Sequence, residues 1–120
     1  MAKTVTVWTL QIVGAAMFLF AGTHKLINDP AMVQAFAAIG VGQWFRYVTG
    51  AIEVVCAVLL LVPSLALYGA LALAVTMAGA IVTHLFLIGG SPVAAIVLLV
   101  VTLAIAWIRI SEREPMVARA

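Results

Sequence analysis

Residues 5–26 read VTVWTLQIVGAAMFLFAGTHKL, and no acidic or basic side chain interrupts the run from Val5 to Thr23. At 1.5 Å per residue, about 20 such residues cross a hydrocarbon core ~30 Å thick. Apolar and polar positions do not alternate, so the run is not a half-buried strand. Inside lipid only a helix satisfies its own backbone groups within one segment. The run is also too long for the apolar part of a cleaved signal segment, so it reads as a retained helix.

Outward from this run the pattern repeats. Asn28-Asp29-Pro30 ends the first span, and Asp29 is placed to N-cap a new helix with Pro30 at its first position. Residues 30–39 then form a short apolar helix stopped by Gly40, too short to span and therefore interfacial or folded back. Further spans are expected over residues 44–62, 65–88 and 92–110. Pro63-Ser64 and Gly89-Gly90-Ser91-Pro92 separate them, and links this short force antiparallel neighbours. A polar tail is expected from Ser111. The expectation is an all-α, integral membrane four-helix bundle formed by residues 1–120 as one domain, with the short interfacial helix between the first and second spans.

Composition agrees: 67% of the 120 residues are hydrophobic and 8% charged, and the mean hydropathy is +1.30. Water cannot solvate such a surface, so the lipid bilayer is the expected partner. The basic residues are scattered rather than clustered, which argues against nucleic acid. Cys56, the only cysteine, cannot form an intramolecular disulfide and reads as a small buried hydrophobe. With four crossings, Lys3, Arg109, Arg113 and Arg119 share the terminal side, whereas Lys25 and Arg46 flank the far side. The excess of basic residues places both termini in the cytoplasm.

Five ionisable side chains lie in or beside the spans on the far side: His24, Lys25, Arg46, Glu53 and His84. Lys25 and Arg46 are at span ends, from which long side chains snorkel to headgroups. Glu53 differs. Nine residues beyond Trp44, it is about 13 Å below the interface by helical rise. A carboxylate there must be protonated, paired or beside a wet cavity. His84 is about 6 Å below the same surface, where a packing role and a site role compete. Lys25 and Glu53 are about 12 Å apart along the membrane normal by rise alone, so direct pairing requires tilt or a bridging water.

Helical spacing places Arg46, Thr49, Gly50, Cys56 and Ala57 on the face of Glu53, and Gln11, Gly14, Phe18, Gly22 and Lys25 on a matching stripe of the first span. The third span presents Met77, Ala80, Ile81 and His84, while the last span reads as an aliphatic wall. Small residues serve close packing; alternatively, Phe18 and Met77 line an apolar pocket below the polar cluster. The spacing shows no phosphate loop, nucleophile elbow or paired metal-ligand motif, and no metal is expected.

Ala21-Gly22-Thr23-His24-Lys25-Leu26, Gly50-Ala51-Ile52-Glu53, the break at Pro63 and the stretch Gly79 to His84 together resemble the DoxX-like family of small four-helix bacterial membrane proteins. The resemblance covers nearly the whole chain. It implies the four-helix fold and an association with redox and oxidative-stress systems, since the family takes its name from a membrane subunit of an archaeal thiosulfate:quinone oxidoreductase. It carries over Lys25, Glu53 and His84 as the polar signature. Three functions follow as expectations. In the first, a small hydrophobic or quinone-like molecule is held at the Lys/Glu/His cluster, with Glu53 and His84 as acid, base or proton relay and Lys25, His24, Arg46, Thr49 and Met77 as binding residues. In the second, the chain is a non-catalytic assembly or stabilising subunit with a membrane-protein partner or in a homo-oligomer. In the third, it is a small isomerase or cyclase for a lipid-soluble substrate.

Overall fold

The computed structural model of the chain describes the backbone of residues 2–119 and the side chains of residues 3–113. Arg119, counted above toward the terminal-side charge, has its side chain outside that range. Among the described residues five α-helices follow one another: α1 (Ala2–Leu26), α2 (Pro30–Ile39), α3 (Gln43–Leu60), α4 (Ala66–Thr83) and α5 (Val93–Arg119). Residues His84–Ile88 prolong α4 as a π-helical turn. Four helices are long and apolar enough to cross a membrane: Lys3–Leu26, Gln43–Leu60, Ala66–Ile88 and Val93–Arg113. The protein is therefore an all-α integral membrane bundle.

The breaks follow local chemistry. Gly40 ends α2 in the left-handed conformation (φ 84°), its N–H donating to the Phe36 carbonyl, a geometry glycine adopts without a Cβ penalty. Asp29 occupies the N-cap position of α2 with Pro30 behind it, but its side chain makes no capping bond. Its backbone carbonyl accepts the Val33 N–H instead. Ser91 Oγ accepts the Val93 N–H at the start of α5 (3.3 Å).

Two boundaries differ from the sequence reading. The second span ends at Leu60 rather than Val62, because Pro63 lacks an N–H and biases Val62 away from helix, so residues 61–65 form the turn. The last span does not give way to an irregular tail after Ile110: the helix runs on to Arg119. Nothing between Ile110 and Glu114 breaks a helix, and Glu and Arg are good helix formers once clear of lipid; the helical backbone continues past Pro115, which lacks an N–H to donate.

Around the bundle the neighbours are α1 with α3, α3 with α4, α4 with α5, and α5 with α1. Phe18, Ala57, Leu60, Leu73 and Ile105 meet in the middle with no exposed surface. The outward faces carry Phe20, Val55, Val75, Phe86, Val100 and Trp107 in the open, as lipid-facing residues must be when the surrounding solvent is itself apolar.

Candidate functional site

The far half of the bundle is built on one close helix contact. A Cβ added to Gly22 of α1 would come within 2.8 Å of the Gly50 carbonyl oxygen, and one added to Gly50 of α3 within 2.9 Å of the Gly22 carbonyl oxygen. Only glycine at both positions lets the backbones approach this far. The consequence is that Lys25, one turn beyond Gly22, and Glu53, one turn below Gly50, meet directly. Lys25 Nζ is 3.1 Å from each of Glu53 Oε1 and Oε2. The separation of about 12 Å expected from rise alone is closed by the Lys25 stem, which leans back along α1, and by the outward lean of Glu53 on antiparallel α3. No bridging water is required. The pair is deep: side-chain exposure is 15% for Lys25 and 1% for Glu53. Unpaired, either charge would cost several kcal/mol or more at this depth.

Arg46 is buried too (2% exposed), but it does a different task. Its Nη1 donates to the Lys25 carbonyl, its Nη2 to Asn28 Oδ1 (2.9 Å) and its Nε to Gln43 Oε1 (2.7 Å). Tyr47 adds a second bond to Asn28 Oδ1 (2.9 Å), and its ring lies 4.3 Å from the guanidinium. The arginine thus satisfies a carbonyl left open by the end of α1 and places positive charge at that helix C-terminus. It pins the α1–α2 turn.

Beside the ion pair is a cavity of about 480 Å³. α2 contributes Met32, Ala35, Phe36 and Ile39 to its lining, so the short helix folds back over the bundle. Lys25, Thr49, Glu53, Met77 and His84 all line it, whereas Arg46 and His24 do not. Thr49 bonds the Phe45 carbonyl (2.8 Å), so it offers mainly its methyl and remaining lone pairs. Met77 is buried in the wall at 5% exposure. His84 opens the π-helical turn, a local widening that recurs at functional sites. Its Nδ1 is 3.0 Å from the Ala80 carbonyl. Since a carbonyl only accepts, Nδ1 carries the proton and, in the neutral ring, Nε2 is left as an acceptor. His24 bonds the Phe20 carbonyl (2.8 Å) and lies against the Phe20 ring (4.1 Å between centroids), away from the cavity.

A second buried polar cluster occupies the terminal half. Gln11, fully buried, donates from Nε2 to the Leu60 carbonyl (2.8 Å) and accepts at Oε1 from Arg109 Nε (2.8 Å). Arg109 also donates to Glu112 (2.9 Å), and its guanidinium faces the Trp8 ring at 5.8 Å. Its Nη2 is buried with no partner among the described residues. Thr102 of α5 is buried as well, bonded to the Leu98 and Leu99 carbonyls. These findings correct the reading of the last span as an aliphatic wall: buried polar groups are not confined to the first three spans or to the far half. The signal was present in the sequence, since Gln11 is a lone amide inside the first run at the depth that Arg109 reaches from the other direction.

Phe18, Ala57, Leu60, Leu73 and Ile105 belong to one buried apolar core and do not line the cavity, while Thr102 is buried one turn from Leu98, which does. No group of three or more His, Cys, Asp and Glu side chains among the described residues is arranged to hold a metal.

Four membrane-length helices, a buried ammonium–carboxylate pair and a covered cavity beside it define a small helical-bundle protein of the membrane. The model of the DoxX-like family matches residues 9–109, and the chain belongs to that family. No curated protein and no solved structure matches it.

Proposed function

We propose that this DoxX-like protein holds a small hydrophobic, quinone-like molecule in the cavity beside Lys25 and Glu53, in a redox-associated role. The observation that carries the reading is the pairing of an apolar-lined space of about 480 Å³ with a buried ion pair in its wall. Such a volume accommodates a small organic ligand, and a few convergent polar groups in an apolar wall are what fix its orientation. Lys25 has three N–H donors and directs bonds at one carboxylate, leaving capacity for a carbonyl oxygen of the guest. Glu53 and the His84 Nε2 are acceptors for a hydroxyl, and both can exchange a proton with it.

The balance of basic residues supports an inner-membrane orientation with both termini in the cytoplasm.

The test is extraction of quinones and lipids from protein purified in mild detergent, followed by mass spectrometry, with Glu53→Gln and His84→Ala prepared in parallel. One molecule enriched in the native protein and depleted in the variants is the expected result. An empty native protein that co-purifies with a larger membrane partner would replace this reading with the assembly-subunit one.

A further inference from the structure

We infer that the guest is a tailed molecule, its polar head beside Lys25 and its chain leaving sideways into the lipid between α3 and α4. This deepens the ligand reading above and rests on it.

The two helices touch at one end and part at the other. Near the terminal side, a Cβ on Gly69 of α4 would come within 2.9 Å of Leu59 Cβ and 3.0 Å of the Cys56 carbonyl oxygen, so α3 and α4 are in close contact there. Ten residues further along α4, about 15 Å by helical rise, a Cβ on Gly79 would meet nothing within 4 Å. Gly79 nevertheless lines the cavity, as do Val48 and Ile52 of α3.

All three are exposed; Val48 and Ile52 keep 44% and 39% of their area. Lining residues that remain this accessible mark where the cavity is open. Helical spacing places Val48 and Ile52 on the side of α3 that Leu59 turns toward α4, and Gly79 shares an edge of α4 with Thr76 and Thr83.

The mouth therefore opens at membrane depth, not toward water, and no side chain of Gly79 obstructs it. Its rim is Val48 and Ile52 on α3 and, on α4, Gly79 between Thr76 and Thr83, whose hydroxyls are bonded to their own helix. The polar groups that could hold a head, Lys25, Glu53 and His84, are on the inner walls. A ring or headgroup fills the interior, and methylenes occupying the slot between Ile52 and Gly79 exchange one apolar surrounding for another at little cost.

The experiment uses two probes on the whole protein in detergent micelles: a decyl-substituted benzoquinone and its tailless parent, each titrated calorimetrically. Gly79→Trp obstructs the slot, and the open space at Gly79 makes it compatible with folding. Val75→Trp, on an exposed face of α4 outside the cavity lining, is the control for an added indole. Gly79→Trp is expected to weaken the tailed probe by roughly tenfold or more, because the head can then be seated only by forcing the tail past the indole that fills the slot. The tailless probe loses less, so the ratio of tailed to tailless affinity falls, and Val75→Trp changes neither. Equal affinity of Gly79→Trp and the native protein for the tailed probe overturns the sideways exit while leaving the ligand reading standing. Failure of the native protein to bind either probe overturns the ligand reading, and this inference with it.

Discussion

Gly22 and Gly50 face one another so closely that each occupies the space in which the other's Cβ would stand, with carbonyl oxygens 2.8 and 2.9 Å from the missing atoms. Everything in the far half depends on this contact, because it sets the distance across which Lys25 reaches Glu53. Gly22→Ala and Gly50→Ala should each destabilise the bundle by ~1–3 kcal/mol, the usual cost of overpacking where the neighbour is backbone that cannot rotate away. Unfolding in a denaturing-detergent titration measures this. Gly79→Ala, into open space, should stay within about 0.5 kcal/mol of the parent.

The Lys25–Glu53 pair should be far more sensitive to losing one member than both. Lys25→Met leaves a carboxylate at 1% exposure without its partner, a change that costs ~3–5 kcal/mol in buried pairs. The double variant Lys25→Met, Glu53→Leu should recover most of the loss. A double-mutant cycle of unfolding free energies checks it; a double variant that loses the sum of the two single losses would show that the pair contributes no coupling.

Arg46→Lys retains the charge but not the fork. Three separately directed N–H groups bond Lys25, Asn28 and Gln43, and one ammonium on a flexible stem cannot reproduce that geometry. The expected loss is ~1–3 kcal/mol, as for buried acceptors left unsatisfied. Faster hydrogen exchange at residues 26–33, with α4 and α5 unaffected, would localise the effect to the turn that Arg46 pins.

Gln11→Leu removes the amide that joins α1 to α3 and α5. It strands the Leu60 carbonyl and the Arg109 Nε, beside an Arg109 Nη2 that already has no partner among the described residues. A loss of ~1–3 kcal/mol is expected. Because none of Gln11, Leu60 and Arg109 lines the cavity, quinone binding should be unchanged in the same preparation.

The fold was legible because membrane-length apolar runs broken by Pro and Gly leave few alternatives: residues 5–26, 44–62, 65–88 and 92–110 correspond to the four long helices within a few residues, apart from the extension of α5. The depth of Glu53 was legible for the same reason, from rise alone. Its partner was not. The direct bond to Lys25 depends on how far apart two helix axes lie, and that distance is set jointly by Gly22 and Gly50 from opposite ends of a 28-residue separation. Arg109 was visible as a charge near a membrane boundary, where snorkelling is the ordinary expectation; its turn inward depends on Gln11, which is 98 residues away in sequence. The π-helical turn at His84 has no proline or glycine of its own to announce it.

The cavity is also confined to one end of the bundle. Its lining comes from the far parts of α1, α3 and α4, one face of α2 and the start of α5, and neither Gln11 nor Arg109 belongs to it. The Gln11–Arg109 network therefore ties α1, α3 and α5 together whether the space at the other end is filled or empty.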